Sequence, residues 1–146
     1  MTAPLLEVRN LRIEFPTRRG TLLAVDDVSF SIAPGEVLGV VGESGAGKSL
    51  TGAAVIGLLE PPGRIARGEV KLAGLRIDSL PPDEMRKVRG REIGAIFQDP
   101  LTSLNPLYTV GQQLTETITT HLHMSQQQAR SRAIELLAAT GIPAPE

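Results

Sequence analysis

Gly42-Glu43-Ser44-Gly45-Ala46-Gly47-Lys48-Ser49 carries the spacing G-x-x-x-x-G-K-S, directly after the apolar run Val37-Leu38-Gly39-Val40-Val41. This pattern suits a loop that wraps a polyphosphate between a buried strand and a helix. Successive backbone N–H groups must point inward, and side chains at the close approaches would block them. Gly42, Gly45 and Gly47 leave that room. Lys48 places a compact positive charge on the outer phosphates, and Ser49 offers a hydroxyl to Mg²⁺. The helix that starts there turns its positive end toward the anion. Four fixed positions at ordinary residue frequencies coincide by chance in a chain of this length on the order of once in a hundred. The expected contact set is Gly42, Glu43, Ser44, Gly45, Ala46, Gly47, Lys48, Ser49 and Leu50. Its expected ligand is a nucleoside triphosphate with Mg²⁺.

The remaining composition narrows the setting. A chain of 146 residues with 41% hydrophobic residues can hold a modest core. A net charge of −1 gives no electrostatic case for nucleic acid as the main partner. Cysteine is absent, which removes disulfides and Cys-ligated metal from this stretch. The start, Met1-Thr2-Ala3-Pro4-Leu5, lacks the basic and apolar regions of a secretory signal. The apolar runs are too short to cross a bilayer, so a cytoplasmic protein is expected.

Several elements must position the loop. Leu6, Val8, Leu11, Ile13 and Phe15 alternate loosely over 5–15, as in a half-buried strand, and Pro16 to Gly20 breaks it. Val25, Val28, Phe30 and Ile32 resume the pattern over 22–32, with a kink or bulge at Asp26-Asp27. Pro34-Gly35 forms a turn, and Glu36 to Val41 reads as the buried strand that delivers the loop. The helix from Lys48 to about Leu59 is apolar nearly all round and should lie centrally, ended by Pro61-Pro62-Gly63. Gly68 to Leu75 reads as a strand, 80–86 as a short helix, and Ile93 to Phe97 as a second buried strand. Helical patterns then cover 110–121 and 125–140. The second opens with a capping box, Ser125 with Gln128, and closes at Gly141.

A phosphate loop alone leaves nucleotide kinases, GTPases and other ATPases open. Three features narrow the choice: two strand-like segments precede the loop-bearing strand, the loop reads Val-Gly-Glu-Ser-Gly-Ala-Gly-Lys-Ser, and Phe97 is followed by Gln98-Asp99-Pro100-Leu101-Thr102-Ser103-Leu104-Asn105-Pro106. In these motifs the sequence resembles the ATP-binding subunits of ABC transporters, and more narrowly their oligopeptide, dipeptide and nickel importer branch. The resemblance runs from about Leu5 to the end. It implies an α/β fold: a P-loop nucleoside triphosphate hydrolase core of ABC type, its mixed sheet containing antiparallel early strands, plus the start of a helical subdomain. Residues 1–98 would form a partial nucleotide-binding core, and 99–146 the loop after Gln98 and the first helices of the arm.

The resemblance also implies site roles. Gln98 would touch Mg²⁺ and the attacking water, joining Ser49 as a metal-contacting residue, and Phe15 would stack on adenine. On pattern alone Phe15 is equally a core residue at a strand end. Asp99, after an apolar strand, could instead serve as the Mg²⁺ carboxylate of a different small P-loop kinase or ATPase. Residues 99–110 would receive a permease subunit, and a second ATP-binding subunit would complete a dimer. Such a protein would sit peripherally on the inner face of the membrane. The family's signature, Walker B and switch-histidine motifs do not occur in the sequence. The chain therefore reads as the N-terminal portion of a longer subunit, expected to bind ATP without turning it over alone. His121 and His123 read as surface residues.

Overall fold

The computed structural model describes residues 3–97, 99, 103–144 and 146. They form two compact units, 1–85 and 86–146.

The first unit is built on an antiparallel sheet of order β2-β1-β3-β4, made of β1 (Leu6–Thr17), β2 (Gly20–Ile32), β3 (Arg64–Leu72) and β4 (Leu75–Arg76). The loose alternation of the two long strands has a structural cause. In β1 the buried residues are Val8, Leu11 and Ile13, so the inward phase jumps by three before returning to two. The extra residue is Asn10, held in the left-handed region at φ 46°, and the β1–β2 register shifts there. Asp27 does the same in β2 at φ 54°, at the expected kink. Gly68 adopts φ +100° in β3.

These breaks line up across the sheet. The Asn10 side-chain amide donates to the Asp27 carboxylate at 2.8 Å, and the Asn10 N–H donates to the Ser29 hydroxyl at 2.7 Å. A Cβ on Gly68 would stand 2.5 Å from the Arg9 carbonyl and 2.6 Å from that of Asn10. The result is a bend line crossing three strands. One face of the bent sheet buries Val8, Leu11, Ile13, Val25 and Val70, and α1 (Lys48–Val55) lies against β1, β2 and β3.

The central helix is shorter than expected. It ends at Val55, and Gly57, at φ 66°, carries the chain away. Gly57 N–H bonds the Ala54 carbonyl at 3.1 Å and Leu58 N–H bonds that of Ala53 at 2.8 Å, a Schellman closure that stops the helix before the prolines. Only Ala54 and Val55 are buried in it. A short helix, α2 (Pro82–Val88), follows β4, with Met85 buried.

Two expected buried strands do not form. Residues 36–41 join no ladder, and Val37 and Val41 are each 94% exposed. Residues 93–97 contribute one isolated parallel bridge, Arg89 to Ile93, while Ile96 and Phe97 are exposed. Both runs have the composition of parallel strands covered on both faces, and such strands need neighbours on either side. Among the described residues no strand pairs with either, so the parallel part of the expected mixed sheet is not seen.

The second unit holds α3 (Val110–His121) and α4 (Gln126–Ala139), packed through Leu114, Ile118, Ala129 and Ala133. Both begin with a complete capping box, Thr109 with Gln112 and Ser125 with Gln128. The His121 ring lies against Gly90, half-buried rather than free on the surface. Among the described residues no helix is long and apolar enough to cross a membrane.

Candidate nucleotide site

The predicted phosphate loop forms a tight crossing from the 36–41 segment into α1. Gly45 and Gly47 take φ values of +83° and +85°, a region that only glycine visits without cost. The Ala46 N–H closes a turn on the Glu43 carbonyl at 3.2 Å. Gly47 is the N-cap of α1, and no side chain caps the helix or places an acid in its first turn. An α-helix leaves its first-turn amides without intrahelical partners, the arrangement an anion fills.

Lys48 spans the loop. Its ammonium donates to the carbonyls of Gly42 and Glu43, each at 2.7 Å. The positive charge is thus held against the first two carbonyls of the loop. Ser49 is exposed on the first turn, beside Lys48, and Leu50 is half-buried. Two left-handed glycines, one lysine bridging the loop and one hydroxyl beside it form a set that fits a polyphosphate with its Mg²⁺. Among the described residues no group of three or more His, Cys, Asp or Glu could hold a metal unaided.

Contacts that the sequence does not single out hold the loop in place. The Thr51 hydroxyl donates to the Gly47 carbonyl at 3.0 Å. Gly47 is buried against β2: a Cβ there would stand 2.8 Å from Cγ2 of Val25 and 3.1 Å from the Ala24 carbonyl. The helical spacing of Thr51 from Gly47 could have flagged the first contact. Nothing local in sequence flags the second, because it joins positions more than twenty apart.

Phe15 lies near the end of β1, paired with Leu22 and half-buried. Its ring covers Gly63, where a Cβ would come within 2.7 Å of Cε1 and 2.8 Å of Cζ. The ring is held by the segment leaving α1 and remains partly open to solvent. Gln98 lies outside the described residues. Asp99 is exposed and belongs to the second unit, whereas Lys48 and Ser49 belong to the first.

In the second unit, residues 103–109 form a loop pinned to α3. Gln113 accepts from the Asn105 N–H at 2.9 Å and donates to the carbonyls of Asn105 and Tyr108 at 3.0 and 3.1 Å. Leu104, Leu107 and Tyr108 are left pointing outward, with Leu107 86% exposed.

Comparison with known proteins places this geometry. The sequence profile described as "ABC transporter" matches residues 25–145. The chain is 49% identical over 143 residues to the oligopeptide transport ATP-binding protein OppD of Bacillus subtilis, covering 97% of this chain and 40% of that protein. It is 46% identical to OppD of Escherichia coli over 95% of this chain and 41% of that protein. It is 42% identical to the dipeptide transport ATP-binding protein DppD of Haemophilus influenzae, over 97% and 43%. Among solved structures, the ATP-binding cassette MJ0796, dimeric in a post-hydrolysis state bound to ADP and Pi, superposes with a TM-score of 0.79 at 27% identity. That match covers 91% of this chain and 56% of the cassette chain. The chain thus spans less than half the length of these peptide-transport relatives.

Proposed function

Because this chain belongs to the ABC transporter family, we propose that it is the nucleotide-binding portion of an ATP-binding subunit that powers import of small peptides. The observation that carries the reading is the loop itself: an uncapped helix N-terminus, two left-handed glycines and a lysine held across the mouth. The names of the relatives support peptides as the solute class.

In this reading Gly42 to Leu50 embrace the phosphates, Lys48 neutralises their developing charge, and Ser49 and Gln98 hold Mg²⁺. Phosphoryl transfer depends mostly on positioning and charge neutralisation, which is what such a loop supplies. Phe15 offers a partly open aromatic face to adenine. Residues 1–98 serve the nucleotide and 99–146 the coupling arm. A second ATP-binding subunit completes the working dimer, peripheral on the cytoplasmic face of the membrane.

The loop 99–110 is the proposed permease seat. Its exposed Leu104, Leu107 and Tyr108, on a backbone fixed by Gln113, form a preorganised apolar surface. Leu104→Asp or Tyr108→Ala in the full-length subunit should weaken permease assembly or uncouple transport while nucleotide affinity stays at the wild-type value. Co-purification and peptide-uptake assays read this directly. Normal assembly and uptake in both variants would move the docking surface elsewhere.

A further inference from the structure

The β1–β2 ladder slips a third time, between Ile13 and Glu14, at the phosphate loop. Ile13 pairs with Val25, but the next β1 residue, Glu14, pairs with Leu23, so Ala24 is an extra residue in β2. Such a bulge removes a residue from the ladder and re-aims its neighbours. Here the re-aimed groups meet Gly47: the Ala24 carbonyl and Cγ2 of Val25 lie 3.1 and 2.8 Å from where a Cβ on that glycine would stand. Val25 is only 6% exposed, and its pairing partner Ile13 is fully buried. Two residues beyond Ile13 lies Phe15, whose ring grips Gly63 past the other end of α1.

We propose that Val25, presented by the Ala24 bulge, is a positioning residue for the phosphate loop, a role that rests on the reading of that loop as a nucleotide seat. Val25 touches no phosphate. It props Gly47 from beneath, and Gly47 sets where the α1 amides, Lys48 and Ser49 stand. The same strand pair carries Phe15, so the two ends of the ligand site are fixed to one piece of sheet. Removing the prop leaves every phosphate-contacting group in the chain but lets the loop settle into β2.

Titration calorimetry of this chain with Mg²⁺–ATP and with Mg²⁺–tripolyphosphate, which probes the phosphate end alone, tests the role. Val25→Ala should weaken both ligands about tenfold, a loss of about 1.4 kcal/mol. Val25→Ile, which keeps both γ carbons, should bind within about threefold of wild type. Val70→Ala is the control for stability, because Val70 is fully buried in the same sheet and contributes no atom within 4 Å of a Cβ on Gly42, Gly45 or Gly47. It should lower the melting temperature without weakening either ligand. If Val25→Ala gives no cooperative melt, Val25→Thr, which keeps the branched shape, is titrated in its place with a smaller loss in the same direction.

Equal affinity losses in the Val25 and Val70 variants, or none in the Val25 variant, would overturn the positioning role. Lys48→Ala separates the two readings. Loss of tripolyphosphate binding in Lys48→Ala with full binding in Val25→Ala sinks the positioning role alone. Failure of the wild type to bind either ligand sinks both.

Discussion

Ser49 and Lys48 divide the work at the phosphate loop by chemistry. An ammonium is a point charge that attracts any anion, whereas a hydroxyl contributes through a shared cation. Ser49→Ala should therefore leave metal-free ATP binding nearly unchanged and remove most of the gain that Mg²⁺ provides. Paired titrations with and without EDTA measure that difference, and an equal loss in both would assign Ser49 to the phosphates instead. These residues were legible in sequence because their spacing is local and each type has one chemical use. Val25 and Gly63 were not. Val25 looks like any strand valine, and Gly63 looks like part of a proline turn, until the fold brings them against Gly47 and Phe15.

At the scale of elements, helices proved easier to read than strands. The pattern over 110–121 matches α3, and the Ser125–Gln128 box marks the start of α4. Each helix satisfies its own backbone, so its signal is complete in a short window. Strands depend on partners. The runs 36–41 and 93–97 have the right apolar residues but no ladder among the described residues. The short α1 is a different case: Gly57 was a readable stop signal that the continuing apolar residues obscured. Likewise the jump from Val8 to Leu11 held the bulge at Asn10 in plain view.

The bend line gives a prediction at this scale. Gly68→Ala puts a Cβ into two carbonyls and asks a non-glycine residue to hold φ +100°. Backbone strain and overpacking should together cost about 3 kcal/mol or more. Denaturant unfolding should show the loss, and a change below 1 kcal/mol would mean that the bend relaxes freely. The β3–β4 hairpin adds a pH dependence. Burial would by itself raise the Asp78 pKa, but hydrogen bonds from Arg76 and from the Val70 N–H outweigh it and hold the carboxyl below its ordinary 3.8. A lowered folded value stabilises the fold above pH 3.8 and loses that contribution as pH falls through the folded value. Asp78→Asn should flatten the acid limb of the stability–pH curve below about pH 4 while preserving its slope above.

In the molecule as a whole, the first unit carries a phosphate loop on a bent antiparallel sheet, and the second carries an exposed apolar loop on a capped helical pair. Family membership rests on most of the chain, whereas the transport role extends beyond the less than half of each relative that this chain spans. In the proposed function the loop of residues 42–50 seats the phosphates of ATP through Lys48. This is tested most directly by calorimetric titration of Mg²⁺–ATP into the wild-type chain and into Lys48→Ala, with circular dichroism confirming that both are folded. A charge-assisted contact to phosphate is worth about 1.5–3 kcal/mol, so the variant should bind roughly ten- to a hundredfold more weakly. Equal affinity in two equally folded proteins would contradict the account.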